Sequence, residues 1–325
     1  MIMNSGYKVT AVGTYLPEKE LTNPELEKIV DTNDEWIVKR TGIRKRHIAA
    51  KDEFASDLAI KAVANLSENY PCALEDIDMI ITSALVPDHL TPSISALVAG
   101  HFNMRKAGTY DLHAACTGFA YGLITASSYI SSGLADKVLI ITAETPSKII
   151  DYTDRNTCIL FGDGAAALLV EKDEKHRLFA SCSGTDGSMA DKLYCSQFSS
   201  SIGGIPLLKE HYFWQDGGAL YSYVVRNVSA HIKSFMAQCA MTASDIDWFI
   251  PHSANLRMID AMRQRLGFDK SQMLISVEYC GNTSSSSIPL ALAGGVKDGR
   301  IKRGDKILIY GFGGGITYAG AVIEW

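Results

Sequence analysis

The sequence predicts an α/β protein built from two related halves. Residues 76–81 (DIDMII) are similar to residues 245–250 (DIDWFI), and residues 136–140 (DKVLI) are similar to residues 305–309 (DKILI). The members of each pair stand 169 positions apart, and this shared offset indicates a duplication rather than two chance matches. Short runs of β-branched and apolar residues are typical of buried strands. Strands that alternate with helical patterns predict helices layered on a sheet.

Three segments outside the repeated strands have the sequence signals of helices. Residues 56–66 carry apolar side chains at helical spacing, and residues 117–130 are small or apolar, as in a buried helix. Asn23 is the expected N-cap of a helix that continues through Val30. The proline and the glutamate that follow it are typical of the first turn of a helix. Helices are therefore expected on both sides of the repeated strands.

The duplication divides the chain into an N-terminal half, residues 1–175, and a C-terminal half, residues 176–325. Near the start of the C-terminal half, about residues 181–218 are rich in glycine and serine and show weak periodicity. We expect this stretch to form an irregular excursion between the halves that is partly ordered at a partner surface.

Composition excludes several classes of protein. The chain has 325 residues, of which 47% are hydrophobic and 21% charged, so it can bury a large core and is not disordered. A formal net charge of −5 argues against nucleic-acid binding, and no apolar run approaches the length of a membrane span. The N-terminal segment lacks the pattern of a secretory signal. Seven scattered cysteines without a CxxC pair argue against a disulfide framework and a zinc site, and they predict a reducing cytoplasm.

Cys116 is the first candidate for chemistry. It follows a strand-like run and stands where the predicted buried helix begins. At a helix N-terminus the unpaired N–H groups and the helix dipole favour a thiolate, so we expect a lowered pKa for Cys116. The alternative is a buried structural cysteine, which is common in protein cores.

Three further segments could complete a site. His252 follows a repeated strand, where open α/β sheets place ligand-contacting groups, although it could equally be an ordinary loop residue. Asn282 lies in a loop that corresponds to the Cys116 segment, and its amide can donate a hydrogen bond without titrating. Adjacent glycines at Gly313 and Gly314 permit close backbone approach, so an N–H could face a developing oxyanion. A tight bend in a strand would explain them as well.

Taken together, these segments resemble the thiolase-fold condensing enzymes, and most closely the β-ketoacyl-acyl carrier protein (ACP) synthase III family. The resemblance runs from about Val9 to Trp325, and the sequences of its motifs are similar to those of enzymes from Gram-positive bacilli. The motifs that carry it are, in order, DTNDEWI at 31–37, RTGI at 40–43, AC at 115–116, DR at 154–155, FGDG at 161–164, PHSANLR at 251–257, GNTS at 281–284 and FGGG at 312–315.

The resemblance implies a five-layered αβαβα thiolase-like fold of two duplicated halves, usually assembled as a homodimer. The set Cys116, His252 and Asn282 implies the class that initiates fatty acid synthesis, since elongating relatives carry Cys-His-His. Thiolases have a second catalytic cysteine where this chain has glycines at 313–315. An intact Cys116 also distinguishes the chain from inactive chain-length-factor homologues.

The implied reaction is a decarboxylative condensation. Cys116 would take an acyl group from acyl-CoA, and His252 and Asn282 would bind the thioester carbonyl of malonyl-ACP and stabilise the enolate formed as carbon dioxide leaves. The backbone N–H groups of Cys116 and Gly314 would form the oxyanion hole. Neither a metal nor a redox cofactor is implied.

The resemblance also implies binding residues. Trp36 and Arg155 match positions that sandwich the CoA adenine, Arg40 a phosphate-contacting position, and Asn255 a position beside the pantetheine tunnel. Phe312 is assigned to the same substrate site.

A carrier protein is acidic, so the condensing enzyme needs a basic docking patch. We expect Arg257 and Arg263, on one predicted helix, to provide it.

Two positions depart from the family pattern. Ser253 stands where many relatives have glutamine, which removes no catalytic group. Thr91 matches a phenylalanine that closes the primer pocket across the dimer in short-chain relatives. The smaller Thr91 predicts an enzyme that accepts branched or longer primers besides acetyl.

Other functions remain open at this stage. A condensing enzyme of secondary metabolism, which transfers acyl chains to a different acceptor, would share the same motifs. An acyl-binding or scaffolding homologue without turnover would be less consistent with an intact Cys116, His252 and Asn282. An unrelated α/β binding protein would require all of the motif matches to be accidental.

Overall fold

The computed structural model of the chain describes residues 6–173 and 180–325, and it confirms the predicted α/β fold. Two β-sheets lie on either side of a central helix pair, and further helices cover the outer face of each sheet. This arrangement gives five layers, in the order αβαβα. The expected boundary between the halves, after residue 175, lies outside the described residues.

The strands in chain order are β1 (Tyr7–Tyr15), β2 (Glu20–Thr22), β3 (Lys45–His47), β4 (Met79–Ser83), β5 (Gly108–Leu112), β6 (Lys137–Glu144), β7 (Gly164–Lys172), β8 (Ala180–Thr185), β9 (Leu193–Tyr194), β10 (Ser201–Ile202), β11 (Ile205–Pro206), β12 (Trp214–Gln215), β13 (Trp248–Pro251), β14 (Lys306–Gly313) and β15 (Thr317–Glu324). The α-helices of the described residues are α1 (Asn23–Leu26), α2 (Asp34–Thr41), α3 (Ala55–Asn69), α4 (Ile94–His101), α5 (Gly118–Ser131), α6 (Arg155–Cys158), α7 (Gly217–Tyr223), α8 (Ser229–Gln238), α9 (Leu256–Leu266), α10 (Val277–Cys280) and α11 (Ser287–Lys297).

The two large sheets have corresponding strand orders. The first sheet runs β1-β7-β6-β4-β5, and the second runs β8-β15-β14-β13. In each sheet the repeated strands pair in parallel, as β4 with β6 and as β13 with β14, whereas β7 and β15 are antiparallel to their neighbours. Beside β13 a single parallel bridge joins Phe249 to Met273, at the place that β5 occupies in the first sheet.

The duplication extends to individual hydrogen bonds. The side chain of Asp78 accepts from the backbone N–H of Lys137 at 3.0 Å, and the side chain of Asp247 accepts from that of Lys306 at 2.7 Å. Both donors and both acceptors are 169 positions apart. Each aspartate therefore holds the first residue of a central strand, β6 in the first sheet and β14 in the second. The repeated aspartate thus has the same structural role in both halves.

The central layer consists of α5 and α11, which are buried between the sheets. Phe119 and Leu123 of α5 and Ile288 of α11 pack with apolar side chains from both sheets in one core cluster. The predicted helices over 56–66 and 117–130 are confirmed as α3, on the outer face of the first sheet, and as α5. Helices α8 and α9 cover the outer face of the second sheet.

The predicted helix from Asn23 to Val30 is wrong in its cap and its length. Thr22 is the N-cap, because its hydroxyl and N–H both pair with the Glu25 carboxylate at 2.7 Å, and α1 ends at Leu26. The Asn23 side chain is buried instead and joins a hydrogen-bond network inside the fold. The partners of this amide are Asp34, Ile43 and Arg46, which lie outside the helix that it was predicted to cap.

The excursion expected over 181–218 begins later than predicted. Residues 181–185 belong to β8, which pairs antiparallel with β15 at the edge of the second sheet. Small residues are needed here because a side chain at Gly184 would overlap the Tyr318 ring. The rest of the stretch contains a 3₁₀ helix, Gly187–Lys192, and short paired strands, β9 with β12 and β10 with β11, before α7 begins at Gly217. Its order at a partner surface stays a prediction.

None of the helices within the described ranges is both long and apolar enough to span a membrane. All seven cysteines lie within these ranges, and none forms a disulfide bond. The same part of the chain holds no cluster of three or more His, Cys, Asp or Glu side chains that could ligate a metal ion.

The paired aspartates generate a prediction about stability. Asp78→Ala leaves the N–H groups of Asp136 and Lys137 without their acceptor, so it should lower the free energy of unfolding by about 1–3 kcal/mol. Glu68→Ala, at an exposed site near the end of α3, should change it by no more than about 0.5 kcal/mol. Urea unfolding followed by circular dichroism measures both, and equal stabilities for the two variants would contradict the assigned role.

Candidate active site

Cys116 lies on a short 3₁₀ turn, Ala115–Thr117, that connects the end of β5 to the first residue of α5. Its predicted position at the start of a buried helix is therefore confirmed. The turn is held by the Thr117 hydroxyl and N–H, which both donate to the Ala114 carbonyl. The side chain of Cys116 is buried but lines two cavities.

The glycines of β14 come into direct contact with this turn. A Cβ at Gly313 would lie 2.7 Å from the Cβ of Cys116, and a Cβ at Gly311 would lie 3.0 Å from the Cα of Thr117. The close backbone approach expected from these glycines is thus present at Gly311 and Gly313. Gly314, the predicted oxyanion donor, lines the wider of the two cavities together with Cys116.

His252 follows β13 directly, and its backbone N–H donates to the Tyr310 carbonyl of β14 at 2.8 Å. Its ring packs edge-on against Phe312, with the ring centres 5.2 Å apart. The Ser287 oxygen accepts from the Ser253 N–H and lies 2.7 Å from Nδ1 of His252. Because Ser287 can then donate its own proton to Nδ1, the pairing favours the tautomer with the ring proton on Nε2.

Asn282 is held by the backbone on both sides. Its N–H donates to the Leu160 carbonyl at 2.8 Å, and its carbonyl accepts from the Gly162 N–H at 3.2 Å. The side-chain oxygen accepts from the Ser284 N–H at 2.9 Å. An N–H must face an oxygen, so this bond leaves the Nδ2 amide as the donor available to a ligand.

Cys116, His252 and Asn282 meet at one cavity of about 130 Å³, here called the inner cavity, which Asn255 and Phe312 also line. On another side of Cys116 a wide cavity of about 670 Å³ is bounded by residues 85–90, Phe198 and Gly314. The structure therefore brings the three predicted reactive side chains together, with space for ligands on two sides of the sulfur.

Burial changes the titration of the two ionisable groups. It raises the pKa of the Cys116 thiol to about 12, although the Ser284 hydroxyl, 3.6 Å from Sγ, opposes this shift. The lowered pKa expected from the helix N-terminus is wrong in direction, because removal of the thiol from water raises the pKa. Burial also lowers the pKa of His252 to about 3, so the imidazole is neutral near pH 7.

The predicted CoA-binding residues form a separate cluster at the surface. The guanidinium groups of Arg155 and Arg40 lie 5.2 and 5.3 Å from the ring centre of Trp36. Arg155 also donates to the Asp31 carbonyl at 3.0 Å. A planar ligand that stacked between Trp36 and Arg155 would have to displace the arginine from the ring.

The residue predicted beside the pantetheine tunnel, Asn255, and the two predicted for carrier-protein docking, Arg257 and Arg263, lie at α9 and differ in their contacts. Asn255 caps α9 by accepting from the Arg257 N–H at 2.9 Å, and it lines the inner cavity as well. Arg257 is exposed on the first turn of α9. Arg263 is largely used inside the protein, since it binds the Asp260 carboxylate and the Phe268 carbonyl, both at 2.8 Å.

Thr91 lies on an exposed loop outside the lining of both cavities, directly after Leu90, which does line the wide cavity. Within one chain it therefore does not touch the space next to Cys116.

Sequence reasoning missed the polar groups behind the reactive residues. Ser284, Ser285 and Ser287 belong to a serine run that looks like a loop in the sequence but is completely buried. Glu144 ends a buried strand, and burial raises its pKa to about 7. A lone acid within an apolar strand was the available signal, because an acid is almost never fully buried without a specific reason.

Comparisons with known proteins give a consistent result. The family model for 3-oxoacyl-[acyl-carrier-protein (ACP)] synthase III matches residues 110–187, and the model for the C-terminal part of the same family matches residues 236–325. The β-ketoacyl-[acyl-carrier-protein] synthase III 2 of Halalkalibacterium halodurans is 50% identical over 319 residues, which cover 98% of this chain and 96% of the relative. The corresponding protein of Bacillus cereus is 47% identical, and the match covers 99% of both chains.

A solved structure of β-ketoacyl-[acyl carrier protein] synthase III from Thermus thermophilus is also similar. It is 42% identical in sequence, its TM-score is 0.94, and the match covers 98% of this chain and 99% of that one. The fold and the family expected from the sequence motifs are both confirmed.

The buried neutral imidazole generates a prediction about pH. Folded His252 stays neutral down to about pH 3, whereas in the unfolded chain it takes up a proton below its ordinary pKa of 6.5. The unfolded state then binds more protons, so stability falls as pH decreases through this window. Between pH 7.5 and 5.5 the wild type should lose about 1.4 kcal/mol more stability than His252→Asn.

Urea unfolding of both proteins at the two pH values measures this difference. The other buried acids are common to both proteins, so the comparison isolates His252. Equal losses would show that the imidazole is not held neutral by the fold.

Proposed function

Since the chain belongs to the 3-oxoacyl-[acyl-carrier-protein] synthase III family, we propose that Cys116, His252 and Asn282 are its catalytic residues. The protein is a condensing acyltransferase that initiates fatty acid synthesis. The observation that carries the assignment of residues is the inner cavity, where a cysteine, a neutral histidine and an asparagine Nδ2 amide meet.

The first step is acylation of Cys116. Its sulfur attacks the thioester carbonyl of acyl-CoA, and the bond between the acyl carbon and the CoA sulfur breaks. The raised pKa means that the resting group is a thiol, so its proton is transferred to the departing CoA sulfur as the new bond forms. The N–H groups of Cys116 and Gly314 bind the transient oxyanion.

The second step uses malonyl-ACP. As the carbon–carbon bond to the carboxylate breaks and carbon dioxide leaves, negative charge develops on the thioester oxygen. His252 Nε2–H and Asn282 Nδ2 donate to that oxygen, and they need no reorganisation because both are already held by the protein. The carbanion attacks the acyl carbon on Cys116, and the departing thiolate takes a proton from water.

Substrate binding follows from the remaining residues. Trp36, Arg155 and Arg40 bind the adenine and phosphates of CoA at the surface, which is supported by their clustering there. Asn255 and Phe312 line the inner cavity that the pantetheine arm enters.

The acidic carrier protein docks on the first turn of α9, where Arg257 is exposed. Arg263 contributes mainly by bracing this helix through Asp260, since its guanidinium is already bound within the protein.

A homodimer completes the primer site. Leu90 and Phe198, at the wide cavity, are 83% and 85% exposed in the single chain, and a second copy would cover them. The small Thr91 then leaves room for branched or longer acyl chains in addition to acetyl.

The reaction needs no metal or redox cofactor, because loss of carbon dioxide makes the condensation favourable. Coenzyme A and ACP thioesters together with a reactive thiol fit a cytoplasmic enzyme. Neither a membrane nor a nucleic acid takes part. The alternative, a condensing enzyme of secondary metabolism, is not favoured by the names of the full-length relatives.

Intact-protein mass spectrometry after brief exposure to a panel of acyl-CoAs tests the nucleophile. The wild type should gain the mass of one acyl group, and the acyl group that is transferred most completely identifies the preferred primer. Cys116→Ala should gain none, because it lacks the sulfur that lines both cavities. Cys72→Ala, which removes a cysteine outside them, should load as the wild type does. A wild type that no acyl-CoA acylates would refute the proposal.

Thr91→Phe tests the basis of primer choice. The larger ring should close the wide cavity from the partner subunit and reduce loading of longer or branched primers, relative to acetyl, by about tenfold or more. Ser128→Phe adds a similar ring at an exposed position of α5 and should leave the profile unchanged. An identical chain-length profile for Thr91→Phe and wild type would exclude this role for Thr91.

A further inference from the structure

Glu144 is a buried carboxyl group to which the proposed reaction assigns no role. It ends β6, and its relative exposure is 0%. Leu85 and Ser285 supply three hydrogen bonds to its carboxyl group, and a hydrogen bond with the Ser284 side chain also opposes the raised pKa. The Leu85 N–H binds Oε2 at 2.9 Å, and the N–H and hydroxyl of Ser285 bind Oε1 at 3.2 and 2.5 Å. The two oxygens therefore hold two different segments of the chain.

On one side Glu144 holds the segment that carries Asn282. Ser285 follows Ser284, whose N–H donates to the Asn282 side-chain oxygen and whose hydroxyl lies 3.6 Å from Sγ of Cys116. Ser284 has a φ of +48°, a conformation that a residue with a side chain adopts only when its surroundings impose it. The bonds from Ser285 to Glu144 supply such a constraint.

On the other side Glu144 holds the wall of the wide cavity. Leu85 is the first of residues 85–90, and these residues line the wide cavity together with Cys116. The carboxylate is thus the direct link between the space assigned to the primer chain and the loop that positions the catalytic amide. Ser285 itself lies outside the lining of the wide cavity.

We propose that Glu144 is a positioning residue that couples the wall of the wide cavity to the placement of Asn282 and Ser284 beside Cys116. The proposal rests on the proposed function, because it takes the wide cavity as the primer space. A primer that displaces residues 85–90 moves the Leu85 N–H, and the shared carboxylate transmits this displacement to Ser285.

The chemistry of the link requires two accepting oxygens. Both N–H groups can only donate, so each oxygen of Glu144 must accept. Glutamine at this position would offer one accepting oxygen and one donating amide. Its amide would face either the Leu85 N–H or the Ser285 N–H, so Glu144→Gln separates the two segments while keeping the shape of the side chain.

Two variants and one matched control test the coupling. Glu144→Gln breaks the link at its centre, and Ser285→Ala removes a single hydroxyl bond on the catalytic side. Ser286→Ala is the control, since its equally buried hydroxyl binds Thr142 and the Gly164 carbonyl instead of Glu144. For each protein we would measure kcat/KM for Cys116 loading with a short and a long acyl-CoA, kcat for condensation, and thermal stability.

If Glu144 couples the two segments, substitution of Ser285 should change primer selectivity although Ser285 does not line the wide cavity. Glu144→Gln should lower kcat for condensation by about tenfold or more. Both Glu144→Gln and Ser285→Ala should shift the ratio of long-primer to short-primer kcat/KM by about threefold or more. Ser286→Ala should leave that ratio unchanged even if its stability falls.

The proposal is overturned if Ser285→Ala scales kcat/KM for both primers by the same factor, as the control does. The Ser285→Ala measurement can be made and interpreted even if Glu144→Gln does not fold. Failure of the proposed function gives a different result, since the wild type would then not be loaded by either acyl-CoA.

Discussion

The close contact between the Cys116 turn and the glycines of β14 is the constraint on which the site depends. The turn belongs to the first sheet and β14 to the second, and at Gly313 the backbones approach so closely that even a methyl group would overlap Cys116. The same strand holds His252 through the Tyr310 carbonyl. The two halves can therefore bring their reactive groups together only because β14 has glycine, without a side chain, at positions 311 and 313.

Burial of this junction determines its chemistry. Burial raises the pKa of Cys116 and lowers that of His252, so both the thiol and the imidazole are held neutral in the resting site. A neutral imidazole donates one hydrogen bond with a fixed geometry, which suits stabilisation of an enolate better than proton storage. The serine run makes such burial tolerable, because its hydroxyl groups satisfy donors and acceptors that water would otherwise serve.

Much of the fold could be predicted from local patterns, because repeated strands and amphipathic or apolar helices leave periodic signals in the sequence. The errors arose where a distant partner overrides the local pattern. Asn23 has the sequence context of a helix cap but serves a buried network, and the first residues of the predicted excursion form β8 because β15 offers them a partner. The pKa of Cys116 was predicted in the wrong direction for the same reason, since a helix end is local and burial is not.

The sequence by itself determined the family, the duplicated α/β architecture and the choice of Cys116, His252 and Asn282 as candidate catalytic residues. These follow from residue types at fixed spacings, which do not depend on how the chain is packed. Only the tertiary structure decided that these three side chains share a cavity, that Arg263 is bound within the protein and that Glu144 joins two walls of the site. Hydrogen bonds and burial between residues far apart in the chain have no local signature, so their consequences become visible only when the two halves are brought together.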